Sequence, residues 1–211
     1  MKIYKSFDEF KKYADKTARK YKFVISKYNE DYSIDVDGDV WVSEKNLTEL
    51  PIQFNKISGC FNCSDNYLTS LEGCPRFIQS HFWCYNNELT SLEGCPKYVG
   101  GNFICFNNEL TSFKGRPEYV GGHFGCQNNN LISLEGGPEY VEGDFDCFGN
   151  KLTSLKGAPK YVGENFFTHS NPFISLEGAP EIIKDKWIIE DKFHSYPEFQ
   201  KYLLVKKIEK L

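Results

Sequence analysis

Residues 82–102 read FWCYNNELTSLEGCPKYVGGN, and residues 103–123 read FICFNNELTSFKGRPEYVGGH. The second stretch repeats the first position by position, and the pattern returns every 21 residues along most of the 211-residue chain. Its cysteine column is Cys63, Cys84, Cys105, Cys126 and Cys147, with Val42 in register before it and Thr168 and Ile189 after it. Two residues ahead stand Val40, Phe61, Phe82, Phe103, Phe124, Phe145, Phe166 and Trp187. Three residues behind stand Asn66, Asn87, Asn108, Asn129, Asn150 and Asn171. A unit this short cannot enclose its own apolar face and must stack on its neighbours, so the period predicts a solenoid.

Each repeat position has a physical task. The F-x-C segment alternates apolar and polar residues, the pattern of a strand with one buried face. Strands from successive coils would lie side by side in a curved parallel sheet. Leu89, Leu92 and their equivalents point inward after the strand. The Asn column falls where the chain leaves the strand, and a buried carboxamide there can bond backbone groups of its own and the adjacent coil. Gly94 followed by Pro96, and the same pair in other repeats, argues against a helix on the return path. An extended or polyproline-like convex return is therefore expected, closed by Tyr98-Val99-Gly100-Gly101 and its equivalents.

These residues resemble the leucine-rich repeat family, whose L-x-x-L-x-L-x-x-N-x-L signature matches Phe103-x-Cys105-x-x-Asn108-x-Leu110 over roughly residues 38–192. The chain departs from that signature in two places. A Gly-Gly pair stands for its first leucine, and L-x-G-x-P replaces the L-P-x-L-P segment. The variant is similar to short repeats of tailed-bacteriophage and bacterial proteins. The resemblance implies a non-catalytic protein-binding module that recognises its partner through the concave sheet. For a phage-encoded chain it implies a host protein as partner, such as an antiviral component that the module inhibits.

Composition narrows the alternatives. One structural domain is expected at this length. Residues 38–192 carry 12 Lys and Arg against 20 Asp and Glu. Such an acidic solenoid repels phosphates and disfavours a nucleic-acid partner. The first residues contain no apolar leader core and no run reaches membrane-spanning length, so a reducing cytoplasm and no membrane are expected. In that compartment the eight cysteines read as small apolar core residues rather than disulfides. Cys60-x-x-Cys63 has zinc-knuckle spacing, but an odd separation on a strand sends the two thiols to opposite faces. No metal or other cofactor is expected.

The ends read as caps. Residues 1–37 form an N-terminal cap, in which Ser6-Phe-Asp-Glu9 is a capping box before a helix with Phe7, Phe10, Ala14, Ala18 and Tyr21 along one face. Tyr32, Ile34 and Val36 then alternate towards Asp37-Gly38, a hairpin turn back to Val40 and Val42. Residues 193–211 form a C-terminal capping helix opened by Ser195-Tyr-Pro-Glu198, with Phe199, Tyr202, Leu203 and Ile208 on one side. Such covers protect open solenoid ends.

Function must then lie in the outward positions of the strands. Before the cysteine column they are Trp41, Asn62, Trp83, Ile104, Gly125, Asp146, Phe167 and Ile188; after it, Ser43, Ser64, Tyr85, Phe106, Gln127, Phe148, His169 and Glu190. Trp83, Tyr85, Ile104 and Phe106 adjoin on two coils, and Phe148 with Phe167 makes a diagonal patch beyond Gly125 and Gln127. Aromatics ringed by polar groups mark an interaction surface, so these residues, with Gln127, Asp146 and His169, are the candidate partner-binding set. His81 and His123 lie on its upstream edge, and Asn86, Asn107 and Asn128 form a downstream rim of outward amides. Two bland readings compete: cross-strand stacking that only stabilises the sheet, and cover by a terminal helix. No catalytic residues are assigned, because His81 and His123 stand about 10 Å apart by strand spacing and no nucleophile elbow or phosphate loop is present. A nucleotide- or sugar-sequestering protein and a virion structural or assembly component are the alternative functions.

Overall fold

The computed structural model describes residues 3–189 and, as backbone, 192–195. It is a parallel β-solenoid of about seven turns that begins with one helix. The F-x-C segments form a nine-stranded front sheet that runs from Val40–Trp41 to Lys186–Ile189 and ends on Lys192–Ser195. Phe103 pairs with Phe124, and Phe124 with Phe145, so the 21-residue period and the sheet register coincide. The Phe and Cys columns are sealed inside, each residue from Phe61 to Phe166 and from Cys63 to Cys147 showing no exposure. Phe103 stacks on Phe124 at 5.2 Å, and the aromatic ladder continues to Trp187, which also donates from Nε1 to Thr168 Oγ1 at 2.8 Å.

The asparagine column ties the coils together. Asn108 Nδ2 reaches the carbonyls of Cys84, Cys105 and Phe106 at 3.1–3.2 Å, and its Oδ1 accepts the Leu89 N–H at 3.1 Å. Asn66, Asn87, Asn129, Asn150 and Asn171 repeat this arrangement. The residue before each Asn has a backbone role besides its outward position, and Asn107 and Asn128 are exposed. Asp65, Asn86, Asn107 and Asn128 hold left-handed backbone with φ of 50–54°. This conformation favours short polar side chains over other non-glycine residues. Their side chains also bond along the solenoid, Asn107 Nδ2 to Asn86 Oδ1 at 2.8 Å and Asn86 Nδ2 to Asp65 Oδ1 at 2.6 Å.

Three expectations need correction. The return path is extended, as expected, but it is paired strand rather than polyproline-like. A second ladder runs along the return side, six strands from Val24–Tyr28 to Tyr119–Val120, parallel except where Val24–Tyr28 pairs with Ile34–Asp37, and a further three parallel strands from Tyr140–Val141 to Ile182–Ile183; four of these strands are Tyr-Val pairs. Val99, Val141 and Val162 lie fully buried beneath it, and Cys74 and Cys95 are buried as well. The ladder is interrupted where Phe113 and Arg116 replace the leucine and small residue used elsewhere. The Phe113 ring occupies the space above Gly137, where an added Cβ would lie 3.0 Å from Phe113 Cδ2.

Asp37-Gly38 makes no hairpin. Ile34–Asp37 instead pairs antiparallel with Val24–Tyr28, and Gly38 (φ 89°) turns the chain from the return ladder to the front sheet. At the far end Phe193, His194 and Ser195 belong to the antiparallel strand against Lys186–Ile189, not to a helix. The helix expected over the rest of the C-terminus lies outside the described residues. The N-terminal helix is present where the sequence places it. Helix Phe7–Tyr21 is capped by Ser6, whose Oγ accepts from Glu9 N–H, and it buries Phe10, Ala14, Ala18 and Tyr21. Glu9 takes the Lys5 N–H rather than that of Ser6.

Asn108→Ala is expected to cost about 1–3 kcal/mol by stranding buried carbonyls. Asn107→Ala should cost about 1 kcal/mol through its left-handed backbone, and Asn107→Gly almost nothing. Urea midpoints distinguish these cases, and equal losses for the two Asn107 variants would assign the cost to the side-chain bond instead. The described thiols are all free, and burial pushes Cys84, Cys126 and Cys147 well up and Cys95 to about 12. A thiol reagent at pH 8 should therefore label half-buried Cys60 in the native protein and the core cysteines only on unfolding.

Candidate functional site

The outward side of the front sheet collects the candidate residues, with one unexpected addition. Trp41, 48 % exposed on the first strand, leans across a whole coil to meet Trp83 with 5.6 Å between ring centroids. The two indoles close over Asn62, which is buried although it points outward. His81 stacks on the other side of Trp83 at 5.5 Å. In the next column Tyr85 and Phe106 stack at 4.5 Å, nearly parallel. Trp83, Tyr85, Ile104 and Phe106 are half-buried rather than fully open to solvent, because each ring shelters its neighbour. Phe148 packs on His169 at 4.4 Å, a contact along one column.

The polar edge has a structural task that sequence reasoning missed. Asp39 Oδ1, His81 Nδ1, Asn102 Oδ1, His123 Nδ1 and Asp144 Oδ1 each accept the backbone N–H of the residue 21 positions on, at 2.7–3.0 Å. All three residue types carry an acceptor two bonds beyond Cβ, and that shared trait of the column was the available signal. A ring nitrogen that accepts holds no proton, so in His81 and His123 the acceptor is an unprotonated Nδ1. His123, Asp144 and Glu164 offer ligand atoms within 4.8 Å of one another, the one metal-type cluster among the described residues. Nδ1 of His123 lies 3.3 Å from Asp144 Oδ2, but its lone pair already serves the Asp144 N–H at 2.8 Å. Coordination through that nitrogen would break the edge ladder.

Beside this edge lies the most perturbed carboxyl of the face. Burial, reinforced by Asp144 and partly offset by His123, raises Asp146 to about 7. Asp146 Oδ1 and Gln127 Oε1 are buried without a hydrogen-bond partner among the described residues. His169 Nδ1 is in the same position, but its column neighbour Glu190 lies outside those residues.

Phe77, Tyr98 and Tyr119 stack outward on the return ladder at 4.6–4.8 Å, and Tyr140 and Tyr161 at 5.1 Å. A cleft of about 290 Å³ at the ladder's interruption is lined by Tyr119, Tyr140, Arg116 and Glu142. A larger hollow of about 860 Å³ opens between the N-terminal helix and the first turns, lined by Tyr4, Tyr13, Tyr32, Glu49 and Glu72. No described helix is long and apolar enough to cross a membrane. Compared with protein-family models, curated proteins and solved structures, the chain matches none.

The Asp146 shift has a definite sign. The folded carboxyl holds its proton more tightly than an unfolded one at about 3.8, so ionisation favours unfolding. The stabilising contribution is present below about pH 4 and lost as pH rises through 7. Relative to Asp146→Asn, the wild-type chain should lose on the order of 3 kcal/mol across that window. Urea titrations at pH 4, 5.5 and 7.5 measure it, and parallel pH profiles for the two chains would refute it.

Proposed function

We propose that this chain is a non-catalytic binding module that recognises another protein through the outward face of its front sheet. The supporting observation is the half-buried group of Trp83, Ile104, Tyr85 and Phe106 on adjacent coils, which exposed Trp41 extends from two coils away. Nothing in the coil requires it, since the same two outward columns also hold Asn62, Ser64, Gly125 and Gln127. The return tyrosines differ in this respect, because they recur from coil to coil like core positions. Departure from the repeat is where specificity can be written, and large rings grouped beside polar groups are the usual content of interface hot spots. The resemblance to leucine-rich repeats supports the same reading, although fold analogy alone assigns no function. The similarity to short phage and bacterial repeats extends it to a phage protein that acts on a host protein in the host cytoplasm.

Affinity capture from a bacterial lysate tests this directly. Trp83→Ala and Phe106→Ala are each expected to weaken the captured complex by about thirtyfold or more. Glu93→Ala and Lys97→Ala, on the return side, should leave it unchanged. Trp83→Ala should cost only about 1–2 kcal/mol of stability, because the ring is half-buried. Binding that survives both aromatic substitutions, or a Trp83→Ala chain that no longer folds, would overturn the assignment.

A further inference from the structure

The aromatic stack on the return ladder is broken once. Phe77, Tyr98 and Tyr119 lie face to face, and so do Tyr140 and Tyr161, but Tyr119 and Tyr140 make no such contact among the described residues. Each of these two rings therefore has a stacking partner on one face only. Tyr119 and Tyr140 are accordingly 48 % and 62 % exposed, against 38 % for Tyr98 inside the stack. The backbone parts at the same place, where Tyr119–Val120 ends one sheet and Tyr140–Val141 begins the next. Elsewhere each return strand donates to carbonyls of the coil before, as Tyr119 N–H does to Lys97 and Gly121 N–H to Val99. The equivalent bonds from Tyr140 and Glu142 to Glu118 and Val120 are not made, so one wall of the opening presents carbonyls and the other N–H groups. The cleft of about 290 Å³ lies between these walls. Two departures from the repeat accompany it, Phe113 in a leucine column and Arg116 in a column of Cys, Gly and Ala.

Two rings with one bare face each, on either side of a cleft with polar walls, suit a flat ring that carries hydrogen-bonding edges. Arg116 and Glu142 line that cleft. Its other two carboxylates are paired with lysines, Glu118 with Lys97 at 3.7 Å and Glu139 with Lys160 at 3.0 Å. Arg116 gives Nη1 to the Pro117 carbonyl at 3.1 Å, and a guanidinium has further N–H donors to offer. A guanidinium and a carboxylate together match guanine, whose O6 and N7 accept and whose N1 and N2 donate. We propose that the break in the return ladder binds a guanine-type base between the Tyr119 and Tyr140 rings, as the missing member of their stack. Arg116 donates to its acceptors and Glu142 accepts from its donors. The three carboxylates around the cleft oppose a phosphate, so the ligand is a nucleoside or free base rather than a nucleotide or a nucleic-acid strand. This site lies on the opposite side of the coil from the front face and is independent of the protein-binding reading.

The probe is guanosine, titrated into the full-length protein near neutral pH and followed by NMR. Amide shifts are expected at Tyr119, Tyr140 and Glu142, and the guanosine H8 signal should move upfield under the two ring currents. Indole, flat but without an acceptor, should bind about tenfold more weakly or worse. Guanosine monophosphate should also bind more weakly than guanosine, and ribose should cause no shifts. Tyr140→Leu should weaken guanosine binding by about tenfold or more, while Tyr140→Phe, which keeps the ring, retains it. Glu142→Gln should weaken binding, and Tyr98→Leu, inside the unbroken stack, should leave it unchanged. The amide spectrum reports whether each variant is folded. The assignment is overturned by an absence of shifts at millimolar guanosine, by equal binding of indole or of the monophosphate, or by binding that survives Tyr140→Leu. None of these substitutions touches Trp83 or Phe106, so their failure removes the base site alone.

Discussion

Six buried carboxamides hold this molecule in register. Where the chain leaves the front strand it enters a left-handed turn, and the carbonyls of that turn and of the preceding coil point inward with no strand to receive them. Asn66, Asn87, Asn108, Asn129, Asn150 and Asn171 each supply the missing donors and return an acceptor to the coil before. A side chain with donors and an acceptor on one short, planar group satisfies both coils at once. The coil spacing, the alignment of the phenylalanine stack and the closing of the thiol column all follow from that linkage.

A second acceptor ladder at the sheet corner, through Asp39, His81, Asn102, His123 and Asp144, secures the opposite end of each front strand. Pinned at both ends, the short front strands hold their outward side chains on a rigid grid. Along that grid indoles, an isoleucine, a glycine and an aspartate succeed one another at one strand spacing. Hydrogen bonding of the backbone constrains none of these identities. On the return side the charges largely cancel in cross-coil pairs such as Glu93–Lys114 and Glu135–Lys156. These pairs are exposed and worth little individually. Among the described residues the front face has no such pairs: Asp39 and Asp144 accept backbone N–H groups there, and Asp146 is half-buried with its carboxyl raised to about 7.

Much of this was legible in the chain itself. Period, inward columns, asparagine roles and the N-terminal helix cap follow from residue spacing, because each is a local consequence of burial or capping repeated many times. Residues such as Asn107 and His123 were harder to place. Their composition suits a polar binding rim, but the backbone at one is left-handed and the ring nitrogen of the other is occupied by a neighbouring N–H. The hairpin before Gly38 and the paired return ladder were misplaced for a related reason. A Tyr-Val pair is too short to signal a strand, and its partner lies 21 residues away.

The amino-acid order alone determined that this protein is a stack of 21-residue coils with a thiol-lined apolar core, since nothing else lets so short a unit bury its phenylalanines. Only the tertiary structure decided how the outward side chains combine. It brought Trp41 over a whole coil to Trp83, turned Phe148 onto His169, and left Asp146 Oδ1 and Gln127 Oε1 buried without a partner among the described residues. Those outcomes depend on rotamers and on lateral distances between coils, which no periodic pattern encodes.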